Sequence, residues 1–81
     1  MNKIKSNAEN LTVYPNPVSQ GNVLYLNETG NLKIYTLQGS LIFDKELNGA
    51  TRIPTSSLTQ GSYILKLTDN KTIKQTKLIV K

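Results

Sequence analysis

The 81-residue sequence contains no cysteine, no histidine and no tryptophan. Without cysteine there can be no disulfide framework, thiolate nucleophile, zinc knuckle or iron–sulfur site. Without histidine the usual general base near neutral pH is missing, so Ser-His-Asp and Cys-His enzymes are excluded. A chain without thiols folds in reducing and oxidising surroundings alike, so its composition is compatible with export but does not require it.

Long apolar runs are also missing. No stretch approaches the roughly 20 apolar residues of a membrane span, so we expect no direct membrane insertion. Lys3 and Lys5 are not followed by the apolar region of a signal peptide, so we expect no cleavable leader in this chain. Residues 1–10 are polar and are interpreted as a flexible linker or tail that precedes one domain over residues 11–81.

Residues that favour strands dominate this domain. Valine, isoleucine and threonine make up 20 of the 81 residues, whereas alanine occurs twice. Turn signals such as Gln38-Gly39, Asn48-Gly49 and Asp69-Asn70 recur at short intervals, which leaves room for strands but little for helices. The pattern predicts an all-β domain, a small immunoglobulin-like β-sandwich of about seven short antiparallel strands, with Asn48-Gly49 as its strongest hairpin turn. The predicted strands span residues 11–14, 23–27, 32–37, 40–47, 51–54, 62–68 and 72–80.

Aspartate and glutamate are the remaining catalytic candidates. Asp44 and Glu46 lie two residues apart on a predicted strand, so their carboxyl groups share a face about 7 Å apart, a spacing that a glycosidase pair could use. Nothing nearby indicates a sugar cleft, and a solvated strand face explains both residues. No Asp-rich loop has the spacing of calcium ligands. We therefore predict no catalytic residue, no metal site and no cofactor.

Positive charge is concentrated late in the sequence. The chain has ten Lys or Arg and five Asp or Glu, a net charge of +5, and five of the lysines fall within residues 66–81 against Asp69 alone. Such a cluster suits an anionic partner, but no aromatic residue follows Tyr63 to stack on bases, so we expect no nucleic acid. Lysines on an edge strand also prevent strand-to-strand aggregation, and we favour this interpretation.

Four segments, in this order, resemble the type A C-terminal sorting domain of type IX secretion system cargo. They are LTVYPNPV (residues 11–18), LKIYTLQGSLI (32–42), LTQGSYILKL (58–67) and KQTKLIVK (74–81). The family pattern is an apolar residue and an aromatic before Pro-Asn-Pro, then Ile-Tyr-Asp-x-x-Gly, then Leu-x-x-Gly-x-Tyr, then a basic and apolar end. One position departs from it, because Thr36 stands where the family usually has Asp.

The resemblance implies a secretion signal of the Bacteroidetes group and not an enzyme. It implies that outer-membrane type IX translocon components recognise the folded domain in the periplasm and pass an upstream cargo domain to the cell surface or outside. A sortase-like cysteine protease is then expected to remove the signal, by a cut in or just before residues 1–10. The recognition residues carried over from the family motifs are Pro15, Asn16, Pro17, Gly39, Gly61, Tyr63, Lys77, Leu78, Ile79, Val80 and Lys81.

Two further hypotheses concern how such a domain binds. An extended last strand offers unpaired backbone groups, which predicts strand addition by a receptor. The alternative function is a carbohydrate- or matrix-binding β-sandwich module of a secreted protein. Modules of that kind present a row of exposed aromatic rings, and this chain has four tyrosines and one phenylalanine, with Tyr63 expected in the core.

Overall fold

Five strands form one hydrogen-bonded sheet in the computed structural model, which describes residues 9–81. The strands are β1 (Glu9–Asn10), β2 (Val23–Thr36), β3 (Leu41–Pro54), β4 (Gly61–Thr68) and β5 (Ile73–Val80). Their order across the sheet is β1-β5-β4-β2-β3, and all neighbours are antiparallel except β1 and β5. The all-β prediction is confirmed. The seven strands and the immunoglobulin-like sandwich are not confirmed, since five strands form a single curled sheet among the described residues.

The strand number differs because two pairs of predicted strands merge. β2 unites the predicted strands at 23–27 and 32–37, and β3 unites those at 40–47 and 51–54. The predicted hairpin turn at Asn48-Gly49 was wrong, because these residues lie inside the β2–β3 ladder, opposite Thr29 and Glu28. A continuous ladder between two 14-residue strands outweighs the local turn preference of two residues.

Two glycines with positive φ lie near the middle of this long hairpin. Gly30 and Gly49 have φ of +139° and +112°, a region that side chains disfavour. A Cβ atom on Gly30 would lie 2.7 Å from the carbonyl oxygen of Thr68, so β2 passes very close to the end of β4. On both sides of Gly30 the same face of β2 points inward. Its buried residues are Leu24, Leu26, Leu32 and Ile34.

The core lies on the inner side of the curled sheet. Tyr63, Leu65 and Leu67 of β4 are buried, as their alternation predicted. Segments outside the strands complete it with Leu11, Val13, Val18 and Leu58. The predicted strand at 11–14 was wrong, because this segment makes scattered backbone contacts, among them an isolated bridge from Tyr14 to Tyr25, and no continuous ladder.

Candidate functional site

The segment of residues 11–20, called the strap below, runs along the outer edge of β5. The amide of Leu11 donates to the carbonyl of Gln75 (3.1 Å), and the amide of Val18 donates to the carbonyl of Ile79 (2.9 Å). Lys81 donates to Val18 (2.8 Å) and accepts from the amide of Gln20 (2.9 Å). β1 extends the pairing at the other end, with Glu9 beside Lys74 and Asn10 beside Gln75.

The Pro-Asn-Pro motif lies at the centre of the strap. The peptide bonds before Pro15 and Pro17 are both cis. The side-chain amide of Asn16 donates to the carbonyl of Lys77 (2.8 Å), and its oxygen accepts from the amide of Ile79 (3.2 Å). The Asn16 side chain therefore binds β5 as the backbone of a neighbouring strand residue would, and it spans the gap between the bonds of Leu11 and Val18.

These contacts correct the hypothesis of strand addition to a free last strand. β5 is paired with β4 along its whole length on one side, and the strap contacts residues 75, 77, 79 and 81 on the other. Displacing the strap would expose Leu11, Val13 and Val18, whose burial contributes about 1.5–3 kcal/mol each. That cost approaches the total stability of a small domain, about 5–15 kcal/mol, so the edge of β5 is not a binding edge in the folded domain.

Residues that the sequence did not single out anchor the end of the strap. Thr55 is fully buried, and its hydroxyl donates to the carbonyl of Asn22 (2.6 Å) and accepts from the amide of Gly21 (3.1 Å). The side-chain amide of Gln20 donates to the carbonyl of Leu58 (2.7 Å). A threonine in a polar stretch gives no sequence signal of burial, because its role depends on a turn more than 30 residues away.

The second group of motif residues, Gly61 and Tyr63, lies opposite the C-terminal end of β5, near the end of the strap. Tyr63 is buried opposite Leu78, and its hydroxyl donates to the carbonyl of Thr59 (2.6 Å), which meets the expectation of a bonded core tyrosine. Gly61 lies opposite Val80, which in turn bridges to Val18 of the strap. The cross-strand pairs thus connect the Gly-x-Tyr motif to the last strand and, through it, to the strap.

Gly39 joins this group through the turn between β2 and β3. Its amide donates to the carbonyl of Thr36 (2.9 Å), and its φ of +95° suits glycine. The hydroxyl of Thr36 accepts from the amide of Ser40 (3.2 Å), so the threonine at the family's Asp position still supports the turn. Thr36 lies opposite Tyr63, which places the turn beside the Gly-x-Tyr motif.

The predicted recognition residues therefore come together, but not all of them are accessible. Leu78, Val80 and Tyr63 are buried core residues. Exposed residues of the set are Pro15, Asn16, Pro17, Gly39, Gly61, Lys77, Ile79 and Lys81. Alternation along β5 explains the division, because Leu78 and Val80 point into the core while Lys77 and Ile79 point away from it.

The lysines of the last segment do different things. Lys74 lies on the inward side of β5, and its Nζ contacts Oε1 of Glu28 at 3.0 Å, where both side chains are partly covered. This hydrogen bond and charge raise the pKa of Lys74 above its ordinary value. Lys66 and Lys77 are on the outward side, and the ion pairs found in residues 9–81 involve neither.

Asp69 closes the turn between β4 and β5. Its Oδ1 accepts hydrogen bonds from the backbone amides of Lys71 (2.8 Å) and Thr72 (2.7 Å). These bonds favour the carboxylate and lower the pKa of Asp69. The turn predicted at Asp69-Asn70 is confirmed, since the amide of Asp69 also donates to the carbonyl of Thr72 (3.1 Å).

A pair of exposed aromatic rings is the feature that sequence reasoning missed. Tyr14 and Tyr25 are 56% and 39% exposed, and their rings stack with centroids 5.9 Å apart. Arg52 lies opposite Tyr25 on β3 and is also exposed. Only the bridge between the strap and β2 brings these residues together, and no spacing along the chain indicates it.

Neither a metal-ligand group nor a membrane-spanning helix occurs in the described part of the chain. Among residues 9–81, no three His, Cys, Asp or Glu side chains group as metal ligands would. No helix long and apolar enough to cross a bilayer occurs in that part of the chain. The fold and the converging motifs define a small all-β module.

Comparison with known families identifies the class. The family model of the secretion system C-terminal sorting domain matches residues 12–81, and the chain belongs to this family of type IX secretion signals. The family consists of sorting signals and not of enzymes, and membership implies interaction with the type IX machinery and secretion to the cell surface or outside. No curated protein gives a significant match to the chain.

Proposed function

We propose that the domain is recognised in the periplasm, after it has folded, by outer-membrane components of the type IX translocon. The observation that carries this proposal is the convergence of the motifs. Asn16 bonds to β5 across 61 and 63 residues of sequence, and Tyr63 pairs with Leu78. The motif residues come together only in the folded chain, so a receptor that reads the exposed ones together reads the folded domain and not a linear peptide.

In this proposal an upstream cargo domain is exported together with the signal, which a sortase-like cysteine protease then removes. Residues 1–8 of the predicted linker lie outside the described residues, whereas Glu9 and Asn10 pair with β5. A cut on the N-terminal side of Glu9 leaves the strap and all its bonds to β5 in place. We therefore place the cleavage position before Glu9, where the released signal stays folded.

A fusion experiment tests export. Residues 1–81 are placed behind a fluorescent protein that already carries an inner-membrane export signal, and a host with the translocon is compared with one that lacks it. We expect fluorescence at the cell surface or in the medium only when the translocon is present. Equal external fluorescence in both hosts would refute the proposal.

A destabilised variant separates folded recognition from peptide recognition. Leu65 is fully buried at the centre of β4, and Leu65→Asp would place a charge in the core. We expect the fusion with this variant to stay in the periplasm. Lys45→Asp, on an exposed position of β3, is the matched control and should be exported normally. Export of the unfolded variant would show that a linear signal suffices.

A second candidate function is carbohydrate binding, which the exposed Tyr14–Tyr25 pair favours. Aromatic rings bind the apolar faces of sugars, and Arg52 beside them suits an acidic sugar. Glycan-array binding that is lost in Tyr14→Ala and Tyr25→Ala would support this function. An array signal at background, together with translocon-dependent export, would leave sorting as the function.

A further inference from the structure

The outward side of β5 is one edge of a larger exposed surface. Lys77 lies opposite Ile64 of β4, and Ile64 lies opposite Tyr35 of β2. Ile79, two residues beyond Lys77, is exposed opposite Ser62. Directly opposite residues of a sheet share one face, so these side chains form continuous rows across three strands.

Lysines make up the next row of this surface. Lys66 of β4 lies between Gln75 of β5 and Lys33 of β2. Lys66 is therefore directly opposite another lysine and diagonal to Lys77. Like charges facing each other across strands destabilise a sheet, so the fold itself gains nothing from this arrangement.

The neighbouring carboxylates pair with some of these lysines and not with others. Lys33 has a partner, because its Nζ lies 3.6 Å from Oδ2 of Asp44. Lys74, on the other side of β5, is paired with Glu28. Lys66 and Lys77 take part in neither of the ion pairs found in residues 9–81. Lys66 and Lys77 lie beside exposed or half-buried isoleucines on the same face of the sheet.

We propose that the surface of Lys66, Lys77, Ile64 and Ile79, called the basic face below, docks on an acidic protein surface of the secretion machinery. Carboxylates of the partner would compensate the two lysines, and apolar side chains would cover the two isoleucines. This inference rests on the proposed sorting function and assigns the contact to side chains of β4 and β5. The covered backbone edge of β5 takes no part in it.

A protein fits this face better than a lipid or a nucleic acid. Ile64 is only half-exposed, so the apolar part of the face is flush with the sheet and suits packing against another surface rather than insertion into a bilayer. Tyr35, the aromatic ring at the end of the Lys77–Ile64 row, is half-buried, so this row offers one largely covered ring and no exposed platform for stacking bases.

Charge reversal with a matched control tests the inference. The double variant K66E/K77E changes the basic face, and K45E/K71E makes the same change in net charge at exposed lysines outside it. In the fusion assay we expect K66E/K77E to reduce export at least about tenfold, because like charges then face the partner. K45E/K71E should be exported like the wild type, and thermal unfolding must show that both variants are folded.

The apolar part has its own pair of variants. Ile79 and Ile73 both point outward from β5 and are 38% and 43% exposed, but Ile73 lies at the far end of the strand from Ile79. We expect Ile79→Ser to reduce export and Ile73→Ser to leave it unchanged. These variants spare the inward residues Leu78 and Val80, whose deletion would confound recognition with unfolding.

The outcomes distinguish a failure of this inference from a failure of the proposed sorting function. If the wild-type fusion is not exported, the sorting function itself fails. If it is exported, equal export of K66E/K77E and K45E/K71E overturns the basic face. A lipid surface would replace the proposed partner under two conditions. The purified wild-type domain binds phosphatidylglycerol vesicles and K66E/K77E does not, while the K66E/K77E fusion is exported like the wild type. If the wild-type domain binds a DNA duplex, K66E/K77E does not, and export is unchanged, the proposed partner would be replaced by a nucleic acid.

Discussion

The two edges of the sheet are protected in different ways. Beside β5, the strap covers the backbone with hydrogen bonds at alternate residues and adds three side chains to the core. At the other side, β3 forms a ladder with β2 alone among residues 9–81. β3 is instead guarded by charge, because Lys45 lies on the core-facing side opposite Leu32 and yet stays exposed. One edge is closed by structure and the other by charge repulsion, so changes at the first should cost stability and changes at the second should alter association.

The largest expected effect is at the strap. Leu11→Ala removes a buried side chain from the strap and should lower the free energy of unfolding by about 2–5 kcal/mol. Leu41→Ala, at an exposed position of β3, should change it by less than about 0.5 kcal/mol. Urea unfolding of both variants measures the difference. Similar losses would show that the strap contributes no more than an exposed edge residue.

A smaller loss of unfolding free energy is expected at Asn16, whose side chain pairs with β5 as the backbone of a strand would. Asn16→Ala removes the bonds to Lys77 and Ile79 and should cost about 1 kcal/mol. Asn48→Ala changes the same residue type at an exposed position of β3 and should stay within about 0.5 kcal/mol. Urea unfolding of the two variants provides the measurement. An Asn16 variant as stable as wild type would mean that water replaces these bonds without loss.

A substitution at the edge of β3 should change self-association more than it changes the free energy of unfolding. Lys45→Thr removes the inward-facing charge and should change the free energy of unfolding by less than about 0.5 kcal/mol. We expect self-association to increase, since the open edge then offers unpaired backbone groups without a repelling charge. Sedimentation velocity compares it with Lys71→Thr, which lies in a turn. Two equally monomeric variants would assign the protection of this edge to something other than Lys45.

The smallest effect concerns pH at the turn that joins β4 to the covered strand. The folded-state pKa of Asp69 is lowered from an ordinary value of 3.8, so its contribution to stability is present above that value and lost as pH falls below it. Asp69→Asn should therefore be less stable than wild type near neutral pH, and the difference should shrink as pH falls below 3.8. Urea unfolding at a series of pH values tests this. A difference that stays constant with pH would exclude the carboxylate as its cause.

Local patterns in the sequence predicted several features because they depend on neighbouring residues. The inward face of β4 follows from alternation at Tyr63, Leu65 and Leu67, and the turns at Gln38-Gly39 and Asp69-Asn70 follow from local backbone preferences. The order of four short motifs was enough to indicate the family. The turn predicted at Asn48-Gly49 was wrong, because the β2–β3 ladder continues on both sides of these residues and outweighs their local turn preference.

The sequence by itself determined the strand-rich composition, the absence of thiol and imidazole chemistry, the family motifs and their order. Only the tertiary structure decided that the strap covers β5, that Thr55 anchors the strap, that Tyr14 stacks on Tyr25 and that Lys66 faces Lys33. Each of these depends on pairing between residues far apart in the chain. Such pairing is set by the register of the long strands and the burial of the common core, and no short window of sequence contains that information.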